Sequence, residues 1–137
     1  MFSPKSILVP SDFSEYSDRA LQKAVDLARE YKAKIYLLHV IDKGLQQCVE
    51  MYCLSNDVMV RMEREEQEST RKLLDQQIAR VPGAREADIS IDIRKGYPDQ
   101  EIVKDQKENG RDLIVIASHG RTGILANLMG STADKVL

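Results

Sequence analysis

Between Asp112 and Ser131 the chain passes from an unbroken apolar run, Leu113-Ile114-Val115-Ile116-Ala117, into a polar turn that carries glycines. A short run rich in β-branched residues suits a strand covered on both faces of a parallel sheet. Gly120 and Gly123 open backbone angles closed to other residues, and Gly130-Ser131 leads into Thr132-Ala133-Asp134-Lys135-Val136-Leu137, which has the pattern of a helix start. A strand end, a glycine loop and a helix start therefore follow one another. Free N–H groups and the positive end of the helix dipole make such a junction a seat for phosphate.

The rest of the chain supplies the sheet that this junction needs. Ser6 to Pro10 reads as a short strand, and Ser14 as the N-cap of a helix with Glu15 and Asp18 in its first turn. Ala20, Leu21, Ala24, Val25, Leu27, Ala28 and Tyr31 form one apolar stripe on that helix. Ile35 to Ile41 is a second strand, and a strand, helix, strand series implies a right-handed parallel crossover. Residues 42 to 56 show no firm period and are read mostly as loop. Asp57 to about Arg80 is helical, with Met59, Met62, Leu73, Leu74 and Ile78 as its apolar side and a charged, solvated face from Arg61 to Lys72.

Pro82-Gly83 ends that helix. Ala87 to Arg94 then alternates Ile89, Ile91 and Ile93 with Asp88, Ser90, Asp92 and Arg94, as in an edge strand with one wet face. Gly96-Tyr97-Pro98 turns the chain into a helix that starts at Pro98 and stops at Asn109-Gly110. The order is β-α-β-α-β-α-β followed by the start of a further helix, all within a single domain spanning 1–137.

Three blocks resemble the universal stress protein family. Its ATP-binding members show Gly, two residues, Gly, nine residues, then Gly followed by Ser or Thr. Here Ala117 stands at the first position, Gly120 at the second and Gly130-Ser131 at the third. Ile7-Leu8-Val9-Pro10-Ser11-Asp12-Phe13-Ser14 and Leu37-Leu38-His39-Val40-Ile41-Asp42 also look like that family, at its usual spacing. The resemblance implies an α/β fold: an open parallel sheet with helices on both faces, Rossmann-like and adenine nucleotide alpha hydrolase-like, in strand order 3-2-1-4. The family's fifth strand, which commonly carries its dimer contact, is not visible in this sequence. A homodimer is the implied assembly.

In that order the loops after Pro10 and Ala117 face one another, and open α/β sheets hold ligands at such strand ends. Main-chain N–H groups of Gly120, Gly130, Ser131 and Thr132 would hold phosphates, beside Ala133 and with added bonds from the Ser131 and Thr132 hydroxyls. Resemblance to the ATP-binding members implies that Asp12 bonds the ribose hydroxyls and that Val40 backbone groups meet the adenine edge. Pro10, Ser11, Ile116, Ala117 and His119 line the pocket by position. The implied ligand is ATP, or AMP or another adenine nucleotide, with Mg2+ reaching the phosphates and Asp12.

Each residue also has a structural role open to it. Asp12 either contacts ribose or caps its own turn. His119 either contacts phosphate or fixes the loop, Arg121 points to solvent or approaches a terminal phosphate, and Gly123 simply relaxes the loop. His39, inside an apolar strand, reads as a hydrogen-bonded core histidine. At Ala117 the methyl takes room the family leaves open, so binding is expected to survive in weakened form.

No catalytic machinery accompanies the pocket. Gly130 is followed by Ser131-Thr132 and not by the Lys-Ser/Thr of a Walker loop, and Asp12 has no acidic neighbour of the kind a phospho-accepting receiver uses. An enzyme, at most a slow ATPase, therefore ranks behind an ATP-binding regulatory module and behind a nucleotide-free interaction protein of the same fold. Twenty basic residues against 22 acidic ones, net −2, give no surplus for nucleic acid, and no apolar run reaches membrane-spanning length. The amino terminus lacks a signal-peptide core, so a cytoplasmic protein is expected. Cys48 and Cys53 match neither a zinc pair nor a redox dithiol.

Overall fold

The computed structural model describes residues 4–42 and 55–117. In chain order they form β1 (Ser6–Pro10), α1 (Glu15–Tyr31), β2 (Lys34–Asp42), α2 (Asn56–Arg80), a 3-10 turn (Ala84–Glu86), β3 (Ile89–Gly96), α3 (Pro98–Asn109) and β4 (Leu113–Ile114). All pairings are parallel, and the strands lie in the order β3-β2-β1-β4. The expected sheet order is therefore observed, with β3 at an edge.

Local chemistry sets the helix limits. Ser14 has extended backbone angles and its hydroxyl accepts from Ser17 N–H, so the expected N-cap of α1 is in place. Lys32 closes α1 in the left-handed region, with φ 55°. α3 begins with Pro98 in its first turn and ends at Gly110, whose φ of 59° lets its N–H return to Gln106 C=O at 2.8 Å. At α2 the Ser55 hydroxyl accepts from Val58 N–H.

Two apolar clusters follow from strand alternation. Ile7, Val9, Ile35 and Leu37 face α1 and α2, where Leu21, Val25 and Leu74 complete a cluster closed to water. Leu8, Leu38 and Val40 point to the other face and meet Ile102 of α3, with Tyr36, Ile114 and Ile116 at the margin. Each large side chain so buried contributes about 1.5–3 kcal/mol. The helices thus cover both faces of the sheet.

Two strand boundaries and the buried face of α2 differ from the sequence pattern. β3 starts at Ile89 and runs through Gly96, because β2 extends to Asp42 and supplies partners up to Asp42↔Gly96. α2 buries Thr70, Leu74 and Gln77, while Met62 and Leu73 stay 41% exposed, so the apolar side expected there is only partly used. The charged stretch from Arg61 to Ser69 is exposed as its pattern implies. β4 is regular only at Leu113–Ile114 and is half-buried.

Beneath α3 a buried ion cluster fastens the approach to β4. Asp105, 1% exposed, accepts from Arg94 of β3 at 3.1 Å, Asn109 at 2.8 Å and Arg111 at 3.2 Å. The Arg111 guanidinium also lies 3.5 Å above the Tyr36 ring. Residue spacing alone does not announce this cluster, since its charged members come from β3, α3 and the connection before β4.

Candidate functional site

The carboxyl ends of β2, β1 and β4 converge on one mouth. β1 pairs with β4 at Ile7↔Leu113 and Leu8↔Ile114, and the ladder runs from Asp112 N–H on Ser6 C=O to Val115 N–H on Leu8 C=O. The next rung, from Ala117 to Pro10, is not made. The regular ladder therefore stops at Val115, which keeps β4 short, and Pro10-Ser11 and Ile116-Ala117 stand at the ends of the two neighbouring strands. A parallel ladder that ends early leaves main-chain groups available to a ligand.

Val40 presents a second set of such groups. Ser11 N–H donates to Leu38 C=O at 2.8 Å, so even-numbered residues at this end of β2 direct their main-chain N–H and C=O toward β1. β1 ends at Pro10, paired with Leu38, and Val40 lies two residues beyond. Its β1-facing groups have no main-chain partner among the described residues. A donor and acceptor in this arrangement match the edge of a planar heterocycle.

The turn after β1 is held from several sides. Asp12, half-buried, accepts from Ser14 N–H through Oδ1 at 3.0 Å, so the capping role open to it is present. Oδ2 has no hydrogen bond among the described residues and remains available as an acceptor. Ser11 is 2% exposed, and its hydroxyl points away from the mouth toward Gln77 at 2.6 Å. Ser11 can therefore offer its backbone at this strand end but not its side chain. Phe13 has a φ of 67°, a left-handed conformation uncommon for a bulky residue.

His39 is half-buried and its Nδ1 lies 2.7 Å from Ser11 C=O, while its ring lies 4.4 Å from that of Phe13. A carbonyl accepts only, so Nδ1 carries the proton. His39 is thus the hydrogen-bonded histidine expected from its strand, and it braces the turn from behind.

Of the expected site residues, Pro10, Ser11, Asp12, Val40, Ile116 and Ala117 come together at these strand ends. His119, Gly120, Gly130, Ser131, Thr132 and Ala133 lie outside the described residues. Ala117 is 6% exposed and is not among the residues with positive φ, so an alanine meets no backbone strain here. Sequence patterning missed Gln77, Ser17 and Arg80, which support the turn from α1 and α2. A polar residue on the buried stripe of α2 was the only signal that could have marked Gln77.

Among the described residues no group of three His, Cys, Asp or Glu side chains is placed to hold a metal ion. No helix there is long and apolar enough to cross a membrane.

The family model for the universal stress protein family matches residues 4–137. The universal stress protein MJ0577 of Methanocaldococcus jannaschii is 32% identical over 143 aligned residues, which span 97% of this chain and 88% of that protein. YxiE of Bacillus subtilis is 32% identical over 138 residues, or 95% of this chain and 89% of its own length. The solved structure of MJ0577 superposes with a TM-score of 0.70 over 98% of this chain and 89% of that one, at 29% identity. A universal stress protein solved in complex with cAMP shares the fold at a TM-score of 0.62 and 20% identity, covering 98% and 89% of the two chains. With its sheet order and these matches across nearly the whole chain, the protein belongs to the universal stress protein family.

Proposed function

We propose that this chain is an ATP-binding regulatory module of the stress response, working as a cytoplasmic homodimer and not as an enzyme. The observation that carries this is that β2 runs two residues past the end of β1. It leaves Val40 main-chain groups without a main-chain partner among the described residues, at the same sheet end as Asp12 Oδ2 and just before the glycine loop begins in sequence. Val40 meets the adenine edge, Asp12 the ribose hydroxyls, and the amides of Gly120, Gly130, Ser131 and Thr132 the phosphates, beside His119 and Ala133. The family relative in complex with cAMP is in keeping with an adenine nucleotide.

The donor set suits magnesium only as a companion of the phosphates. One free carboxylate oxygen is the kind of single protein contact that Mg2+ accepts while keeping water and phosphate ligands. No base or lysine stands ready at the described part of the mouth, so any phosphate release is slow.

Ala117 favours one second reading, an interaction protein of the same fold without nucleotide, because a buried methyl stands where the family's motif has its first glycine. Mass spectrometry of the denatured purified protein separates the two by showing retained ATP or none. Titration calorimetry with ATP, AMP and cAMP then ranks the ligands. Absence of binding to all three at millimolar concentration overturns the nucleotide assignment. Phosphate release above that of a Gly130→Asp variant overturns the non-enzymatic one.

A further inference from the structure

We infer that Gln77, on α2 and 65 positions from Asp12 in the chain, is the positioning residue of the Asp12 turn. The inference rests on the nucleotide assignment for its ligand readout and on geometry alone for the rest. Gln77 is fully buried, and a buried amide is tolerated only when its bonding groups are satisfied. Its Oε1 accepts from Ser11 Oγ at 2.6 Å, and its Nε2 donates to Ser17 Oγ at 3.1 Å and Asp18 Oδ1 at 2.8 Å. Ser17 Oγ gives its own proton to Ser14 C=O at 2.8 Å. Of the two acceptors near the Ser11 hydroxyl, Gln77 Oε1 at 2.6 Å and Ser17 Oγ at 3.3 Å, the shorter contact takes its proton, and its lone pairs are turned to Phe13 N–H at 3.1 Å.

Those bonds act where the backbone needs support. Phe13 holds a left-handed conformation that costs on its own account, and it follows Asp12 directly. Its N–H is held by Ser11 Oγ, its C=O accepts from Arg80 at 3.4 Å, and its ring packs on His39. Arg80 is anchored in turn on Asp18 at 2.8 Å, the carboxylate that Gln77 also holds. The last turn of α2 thus sets the conformation on both sides of Asp12. Gln77 touches no ligand; it acts through Ser11.

The test compares ATP with 2′-deoxy-ATP, because a misplaced Asp12 loses the ribose hydroxyls first. Gln77→Leu keeps the volume and removes the bonds, Ser11→Ala breaks the same clasp from its other end, and Arg80→Met perturbs it from the surface. The expected result is a parent preference for ATP that falls to within about twofold of unity in Gln77→Leu and Ser11→Ala. The double variant should show no further loss, and tripolyphosphate should bind all of them equally. A preference that survives in both single variants, whatever their melting temperature, overturns the inference.

Amide exchange at Phe13 is the readout that needs no nucleotide. It should quicken at least tenfold in Gln77→Leu and by less in Arg80→Met. Should Gln77→Leu fail to fold, Ser11→Ala and Arg80→Met carry the same comparison. If the parent binds no nucleotide, the ribose assignment fails together with the nucleotide reading, and unchanged Phe13 exchange then overturns the positioning role as well.

Discussion

Removing the Asp105 carboxylate should destabilise this protein more than any surface ion pair does, and the structure sets the scale. Asp105 Oδ1 takes Arg94 at 3.1 Å, Asn109 at 2.8 Å and Arg111 at 3.5 Å, while Oδ2 takes Arg111 Nε at 3.2 Å. In Asp105→Ala two guanidiniums with side chains 20% and 13% exposed lose their shared counter-charge, and Asn109 loses its acceptor. Breaking a buried pair from one side costs about 3–5 kcal/mol. Arg94 keeps partial compensation from Asp92, Glu101 and Glu108, which moves the expectation to the low end, about 3 kcal/mol.

Urea unfolding followed by circular dichroism measures this directly. With a slope of about 2 kcal/mol per molar, a loss of about 3 kcal/mol lowers the midpoint by about 1.5 M. Asp105→Asn keeps the shape and one acceptor and should fall roughly halfway. Glu108→Gln, at a side chain 49% exposed, should change stability by less than about 0.5 kcal/mol. Because Arg111 lies just before β4, Asp105→Ala should also quicken amide exchange at Val115, whose N–H bonds Leu8 C=O. A midpoint for Asp105→Ala that matches that of Glu108→Gln would refute the claim that this cluster fastens β4.

Ser14→Ala removes the hydroxyl that accepts from Ser17 N–H and should cost about 1 kcal/mol in the same unfolding assay. Ala117→Gly should raise ATP affinity several-fold in calorimetry at a stability cost of about 0.5–1 kcal/mol, and unchanged affinity would mean that the methyl does not crowd the ligand. The main-chain N–H groups of Lys5 and Ser6, chief among its contacts, hold the Asp112 carboxyl below the ordinary carboxylate range. The folded state therefore binds fewer protons there, and the contribution is present above the unfolded pKa of about 3.9 and lost as pH falls through the depressed folded value. Asp112→Asn should flatten that acid limb of the stability profile while leaving its shape near neutrality unchanged.

Much of the architecture was legible because it rests on local rules. Ser14 and Gly110 marked a helix start and a helix end, Ile89, Ile91 and Ile93 marked an edge strand, and apolar runs separated by amphipathic helices implied parallel crossovers. Asp12 and Val40 could be proposed as site residues only through resemblance, since a carboxylate in a turn and a valine in a strand are ordinary by themselves. Tertiary contacts decided what no periodicity encodes. That the β1–β4 ladder stops at Val115, that Ser11 turns its hydroxyl inward and that Gln77 is buried depend on partners tens of residues away, and Asp105 is buried against arginines that flank its own helix. Helix caps and strand alternation are set by neighbours a few positions off and can be read along the chain. A buried polar side chain is stable only when another element brings it a partner, and that meeting exists only once the chain has folded.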